Sequence, residues 1–159
     1  MEQLELIPMS RALCHEFYRG FENDPEIFMD MEKFYVFQYD PKWADDYFDR
    51  QMARRRILLA LMREGKPIGE IKLWDIDRES RICNLGIHLQ NDTVKGRGFG
   101  TWAERQAAEY AFRDLGMDAV MADVVIKNVR SQRALEKAGF RFVEERGIYR
   151  YYRCDRENR

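Results

Sequence analysis

Cysteine and histidine are scarce in this chain of 159 residues. Cys14, Cys83 and Cys154 are odd in number and follow no redox or metal-binding spacing, so a disulfide framework is excluded and a reducing compartment is expected. With only His15 and His88 beside them, the sequence holds no zinc pattern, and no metal is expected. Long apolar runs are missing too. None approaches the ~20 residues that cross a bilayer, so no membrane partner is expected. Residues 1–5 are acidic and lack a signal-peptide core, which points to a cytoplasmic location. Repeats, linkers and low-complexity segments are absent. The chain reads as one domain over residues 1–159, ordered from about 4 to 154, with a loose tail at 155–159.

What is present is a globular composition, 45% hydrophobic and 13% aromatic, enough for a real core. The net charge of −1 hides an asymmetry. Residues 1–50 sum to −7 and residues 127–159 to +5. The acidic end suits a cationic substrate and the basic end an anionic ligand, unless both are ordinary solvated faces.

In chain order, residues 4–7 form a strand candidate, and Ser10 caps a helix carrying Leu13, Cys14 and Phe17 that Gly20 ends. Asp24-Pro25 and Asp40-Pro41 start further short helices. From residue 57 the apolar run Ile57 to Met62 begins a meander. Its second strand, residues 68–77, sets Ile71 and Leu73 against Glu70, Lys72 and Trp74. Its third, residues 81–90, sets Cys83, Leu85, Ile87 and Leu89 against Asn84, Gly86 and His88. A helix over about 100–115 buries Ala103, Ala107 and Ala111 and stops at Gly116. A strand over 118–126, an Asn128-capped helix ending at Gly139, and strands over 140–143 and 149–154 complete the chain.

Between meander and helix lies Val94-Lys95-Gly96-Arg97-Gly98-Phe99-Gly100-Thr101. Glycines let backbone N–H groups crowd round a ligand, the following helix offers unpaired donors, and Lys95 and Arg97 add charge. This describes a phosphate or pyrophosphate cradle, or more plainly a flexible turn. No Lys follows the glycines as a P-loop requires. Gly98 to Ala103 fits a dinucleotide fingerprint, but an antiparallel meander precedes it and too few residues follow.

The element order and Lys95-Gly96-Arg97-Gly98-Phe99-Gly100 resemble the GNAT family of acyl-CoA-dependent N-acyltransferases, whose pyrophosphate loop is [QR]-x-x-G-x-[GA]; Lys95 stands where Gln or Arg is usual. The segment from Asn128 and Ser131 through Glu136-Lys137-Ala138-Gly139-Phe140 is similar to the branch typified by ribosomal-protein acetyltransferases. The resemblance implies an α+β single-domain GNAT fold: a mixed, mostly antiparallel sheet of six to seven strands flanked by helices, with a splayed acyl-CoA wedge. It implies acetyl-CoA as co-substrate and transfer of the acetyl group to a primary amine, either a protein N-terminal α-amine or a small amine such as a polyamine or aminoglycoside. It also implies a homodimer, since relatives often form one.

Residue by residue, the resemblance assigns the pyrophosphate to Lys95, Gly96, Arg97, Gly98, Phe99, Gly100 and Thr101. The pantetheine falls to the backbone of His88, Leu89 and Gln90, with Asn128 and Ser131 at its reactive end. A bulge in the strand of residues 81–90 would splay the sheet, with Gly86 as the permissive position. The N–H of Leu89 becomes the oxyanion donor. His88 is the candidate base, Glu70 an alternative acting through water, and Ser131 the candidate proton donor to sulfur. For each a structural role competes: sheet wall for His88, solvated carboxylate for Glu70, first-turn residue for Ser131, helix cap for Asn128. Many relatives have Tyr where this chain has Leu135, which keeps open a CoA-binding module without catalysis. The arginines and tyrosines of residues 141–153 could suit RNA, but strand alternation explains them, so nucleic acid is not expected.

Overall fold

The computed structural model describes residues 3–156. Seven strands form one sheet in the order β1-β2-β3-β4-β5-β7-β6: β1 (Leu4–Pro8), β2 (Ile57–Arg63), β3 (Lys66–Asp77), β4 (Ile82–Leu89), β5 (Ala119–Val125), β6 (Arg141–Arg146) and β7 (Tyr149–Asp155). Every adjacent pair is antiparallel except β4 with β5, where the connection crosses over through a helix. The mixed, mostly antiparallel α+β architecture expected from the sequence is therefore the one observed.

The run from Ile57 to Met62 is continuously apolar because β2 is covered on both faces. Leu59 and Leu61 enter the core under helices α3 (Phe99–Arg113) and α4 (Val129–Lys137). Leu58, Ala60 and Met62 enter a second core with Cys14, Phe17 and Tyr18 of helix α1 (Arg11–Arg19) and Tyr47 of helix α2 (Pro41–Ala53). Ser10 caps α1, its hydroxyl accepting from the Leu13 N–H at 3.1 Å. Ala103, Ala107 and Ala111 are fully buried and let α3 lie close to the sheet.

Two expectations change. Asp24-Pro25 starts only a 3-10 turn, Pro25–Ile27, and a second turn follows at Met31–Lys33. Asp24 and Asp30 each satisfy a nearby N–H, and each turn then runs into extended backbone, so neither reaches a sustainable helix length. The expected loose tail begins too early. Asp155 ends β7, and the Arg156 N–H donates to the Asp118 carbonyl at 2.9 Å; residues 157–159 lie outside the described residues.

Glu104 of α3 is buried, and its Oε1 has no hydrogen-bond partner among the described residues. Burial raises its carboxyl to about 8. At acid pH the folded and unfolded chains both keep this proton, and as pH rises the unfolded chain loses it first. Stability should therefore fall as pH rises from the ordinary carboxyl range to about 8, by roughly 1.4 kcal/mol per pH unit at most. Glu104→Gln should flatten that slope, raising the melting temperature at pH 8 far more than at pH 5 in a thermal-shift series.

Candidate active site

β4 and β5 pair only at Ile82–Ala119, Cys83–Val120 and Asn84–Met121, then separate. Each strand end is anchored to a different element. Gln90, just past β4, donates from Nε2 to the Phe17 carbonyl at 2.7 Å, and its own carbonyl accepts from the Glu22 N–H at 2.9 Å. Gly20 makes this possible, since a Cβ there would sit 2.8 Å from Gln90 Nε2. On the other side, Gln132 of α4 donates to the Ile126 carbonyl at 2.8 Å, and the Ile126 N–H bonds the Ile148 carbonyl at 2.8 Å. The result is a wedge opening toward the glycine loop.

The bulge expected at Gly86 is not there. β4 pairs with β3 in unbroken register from Asn84 to Leu89, and the extra residue lies in β3 between Trp74 and Asp77, where Asp75 has φ +48°. The Gln90 N–H donates to the Ile68 carbonyl, which fixes the phase of the ladder. His88 and Gly86 thus bond toward β3, while the N–H and C=O of Ile87 and Leu89 turn toward the wedge. Of the three pantetheine residues expected from the sequence, only Leu89 presents its backbone there. Gln90 is instead an anchor to α1.

At the start of α3, Gly96 and Gly98 have φ +70° and +85°, a region that favours glycine. Gly98 caps the helix without any side-chain bond, and the first intrahelical bond runs from the Trp102 N–H to the Gly98 carbonyl. The N–H groups of Phe99, Gly100 and Thr101 precede that bond and form the open donor end of the helix. Gly100 has room for a Cβ, its closest neighbour being Leu89 Cδ1 at 3.7 Å, so the protein itself does not require glycine there. Phe99 is buried in the core and Thr101 Oγ1 lies 3.5 Å from the Ala134 carbonyl. The Arg97 guanidinium sits 4.9 Å from the Phe99 ring centre, and Nη1 reaches the Thr93 carbonyl at 3.3 Å. Lys95 does not project as a free cation; its Nζ lies 3.7 Å from Asp24 and 3.5 Å from Asp92.

That ion pair helps tie down the segment of residues 21–39. Asn23 donates to the Tyr35 carbonyl at 3.1 Å, and Lys127, past β5, donates to the Phe28 carbonyl at 2.7 Å. The segment bridges the two splayed strand ends and leaves Met29, Met31, Tyr35 and Val36 exposed.

On the α1/α2 face of the sheet a cavity of about 320 Å³ is lined by Arg56, Glu70, Lys72, Trp74, Gly86 and His88. Glu70 is only 1% exposed, which overturns its reading as a solvated strand carboxylate. Its Oε1 accepts from the Tyr18 hydroxyl at 2.9 Å and the Tyr47 hydroxyl at 2.6 Å, while Oε2 has no partner among the described residues. Burial and the neighbouring Glu70 push both phenols well above their ordinary value, so they remain donors. His88 pairs directly across from Glu70. It keeps open surface toward the cleft, yet protein crowds its other sides, including the Phe21 ring at 5.8 Å. Desolvation lowers its pKa against the opposing pull of Glu70, with Lys72 and Lys95 adding to the lowering; the open surface limits the effect. Tyr18, Tyr47, Arg56, Lys72 and Trp74 were not picked out from the sequence as site residues. Strand alternation signals the last two, whereas the tyrosines come from distant helices.

Asn128 Oδ1 accepts from the Ser131 N–H at 3.1 Å, a helix cap that leaves only the amide nitrogen for a ligand. Ser131 sits half-buried in the first turn of α4. Leu135 is fully buried beside Phe140 and Tyr152 in the core. Among the described residues no group of His, Cys, Asp and Glu could hold a metal, and no helix is long and apolar enough to cross a membrane.

The chain is 29% identical to "Probable N-acetyltransferase YjcK" of Bacillus subtilis (strain 168), over 61% of this chain and 62% of that protein. It is 28% identical to "Putative ribosomal N-acetyltransferase YdaF" of the same strain, over 63% of this chain and 52% of that one. It thus spans half to three fifths of these relatives. The fold is shared with a spermidine N-acetyltransferase from Vibrio cholerae solved with CoA and spermine, at a TM-score of 0.77 and 16% identity over 98% of this chain and 97% of that one. Residues 3–141 match the acetyltransferase (GNAT) domain, and on a match of that extent the chain belongs to the GNAT acetyltransferase family.

Proposed function

We propose that the chain works as one unit, an acetyl-CoA-dependent N-acetyltransferase acting on a primary amine. The observation that carries this reading is the wedge, which joins a glycine-framed helix start on one face of the sheet to the Glu70–His88 cavity on the other. Acetyl-CoA supplies an activated acyl group as a thioester. The pyrophosphate is held by the N–H groups from Gly96 to Thr101, and the pantetheine runs along the Ile87 and Leu89 backbone as an added strand. The acceptor amine enters the cavity, where Glu70 Oε2 takes a hydrogen bond from it and His88 receives its proton. The amine nitrogen attacks the thioester carbonyl carbon, the Leu89 N–H stabilises the oxyanion, and the C–S bond breaks. Ser131 or water returns a proton to the leaving sulfur, with Asn128 positioned beside it. Either a protein N-terminal amine or a small amine suits this chemistry. Cys14, Cys83 and Cys154 are all buried and none of them forms a disulfide, in keeping with a cytoplasmic setting.

Thiol release from acetyl-CoA with a panel of amines tests the reading; tight binding without turnover on any acceptor would make the chain a CoA-binding module. Gly98→Glu should weaken CoA binding by at least about 100-fold in calorimetry, because it puts a carboxylate where a pyrophosphate is held. The positive φ adds about 1–3 kcal/mol of destabilisation, which leaves a folded protein to measure. Unchanged affinity would remove the cradle.

A neutral His88 is the form that accepts a proton, and its lowered pKa places the acid limb of kcat/KM below the ordinary histidine value of 6.5. His88→Gln should cut kcat by roughly 100-fold and abolish that limb in a pH–rate profile. A retained limb would exclude His88 as the base.

A further inference from the structure

We infer that the acceptor is a zwitterion, a compact primary amine that carries a carboxylate close to its nitrogen as a free amino acid does. The inference rests on the acetyltransferase reading and deepens it. The charges that line the cavity are unbalanced. Its one carboxyl group, Glu70, faces Lys72 and Arg56. The two tyrosine hydroxyls fix Oε1 of Glu70 and leave Oε2 buried without a partner. That oxygen is therefore an unfilled acceptor site suited to an ammonium or amine N–H.

The two cations are equally unfilled. Neither Lys72 nor Arg56 has a carboxylate within 4.0 Å among the described residues. Lys72 Nζ lies 5.2 Å from the Tyr47 ring centre, and Arg56 donates from Nη1 to the neutral Gln51 Oε1 at 3.1 Å. Burial lowers the Lys72 pKa; Glu70 opposes that, while Arg56 and Arg54 add to it. A half-buried ammonium repelled by two guanidiniums gains from an incoming oxyanion. A planar guanidinium beside it offers the paired donors that a carboxylate accepts.

The same arrangement disfavours a polyamine. Its first nitrogen would meet Glu70, but its further ammonium groups would meet Lys72 and Arg56, and such repulsion discriminates as strongly as attraction. Part of the acidity of residues 1–50 is already committed, since Asp24, Asp45, Asp46 and Asp49 pair with Lys95, Arg11, His15 and Lys42, and none of its acids among the described residues lines the cavity. The cavity is also short on one side. Trp74 lies across Gly86, where an added Cβ would be 3.0 Å from the indole. That favours an acceptor whose two charges lie close together.

The test is steady-state acetylation by the full chain of free L-amino acids, their C-terminal amides, spermidine and a short peptide. An amide keeps the amine and loses the carboxylate. We expect at least one free amino acid to exceed its amide roughly tenfold or more in kcat/KM. Lys72→Gln and Arg56→Gln should each reduce that ratio toward one, by raising KM for the free acid with little change in kcat. Amides that match or exceed the free acids would overturn the inference. So would a preference for spermidine or the peptide; both results leave an acetyltransferase standing. Absence of turnover with every acceptor, together with no acetyl-CoA binding, would remove the underlying reading as well.

Discussion

The separation of β4 from β5 beyond Asn84 is the constraint on which the rest of this molecule depends. A seven-stranded sheet would ordinarily close that gap with ladder hydrogen bonds. Here the ends are held apart because each already has a partner: Gln90 with Phe17 and Glu22, Ile126 with Gln132 and Ile148. The backbone of Ile87 and Leu89 is thereby left facing open space, which in a folded protein calls for a ligand or water. The two helices on one face and the two on the other make that opening a passage between separate surfaces.

The second governing interaction is the clasp of Tyr18 and Tyr47 on Glu70. One tyrosine comes from α1 and the other from α2, so a single carboxylate oxygen joins both helices to the sheet. Two donors converge on one oxygen while the other is left bare, a division that a symmetric ion pair would not produce. The clasp also keeps Glu70 from turning aside to neutralise Lys72, so charge of both signs persists side by side in the cavity.

Much of this was legible in the sequence where the signals are local. Ser10 and Asp40 as caps, the alternation of residues 68–90, the glycines before α3 and the Asn128 cap all act within a few residues, and each element formed close to where it was expected. Asp24-Pro25 carried the same signal but a second cap at Asp30 cut the helix short. The remaining differences involve long-range partners. Nothing near Lys95 announces that Asp24 will pair with it, and nothing near Glu70 announces hydroxyls from positions 52 and 23 residues away. The position of the bulge, in β3 and not at Gly86, follows from how two strands finally register, which neither strand encodes alone.

The segment over residues 21–39 has a particular economy of attachment. Its ties at Glu22, Phe28 and Tyr35 run through backbone atoms of the segment, and the Asp24 pair adds one charge; none uses the side chains of Met29, Met31 or Val36, whereas the Tyr35 ring packs edge-on against Phe28. The three outward side chains Met29, Met31 and Val36 are therefore free to vary without disturbing the ties that hold the segment in place. A surface built this way separates what the segment shows to solvent from what holds it, so its outer chemistry can be changed at little cost to the sheet beneath.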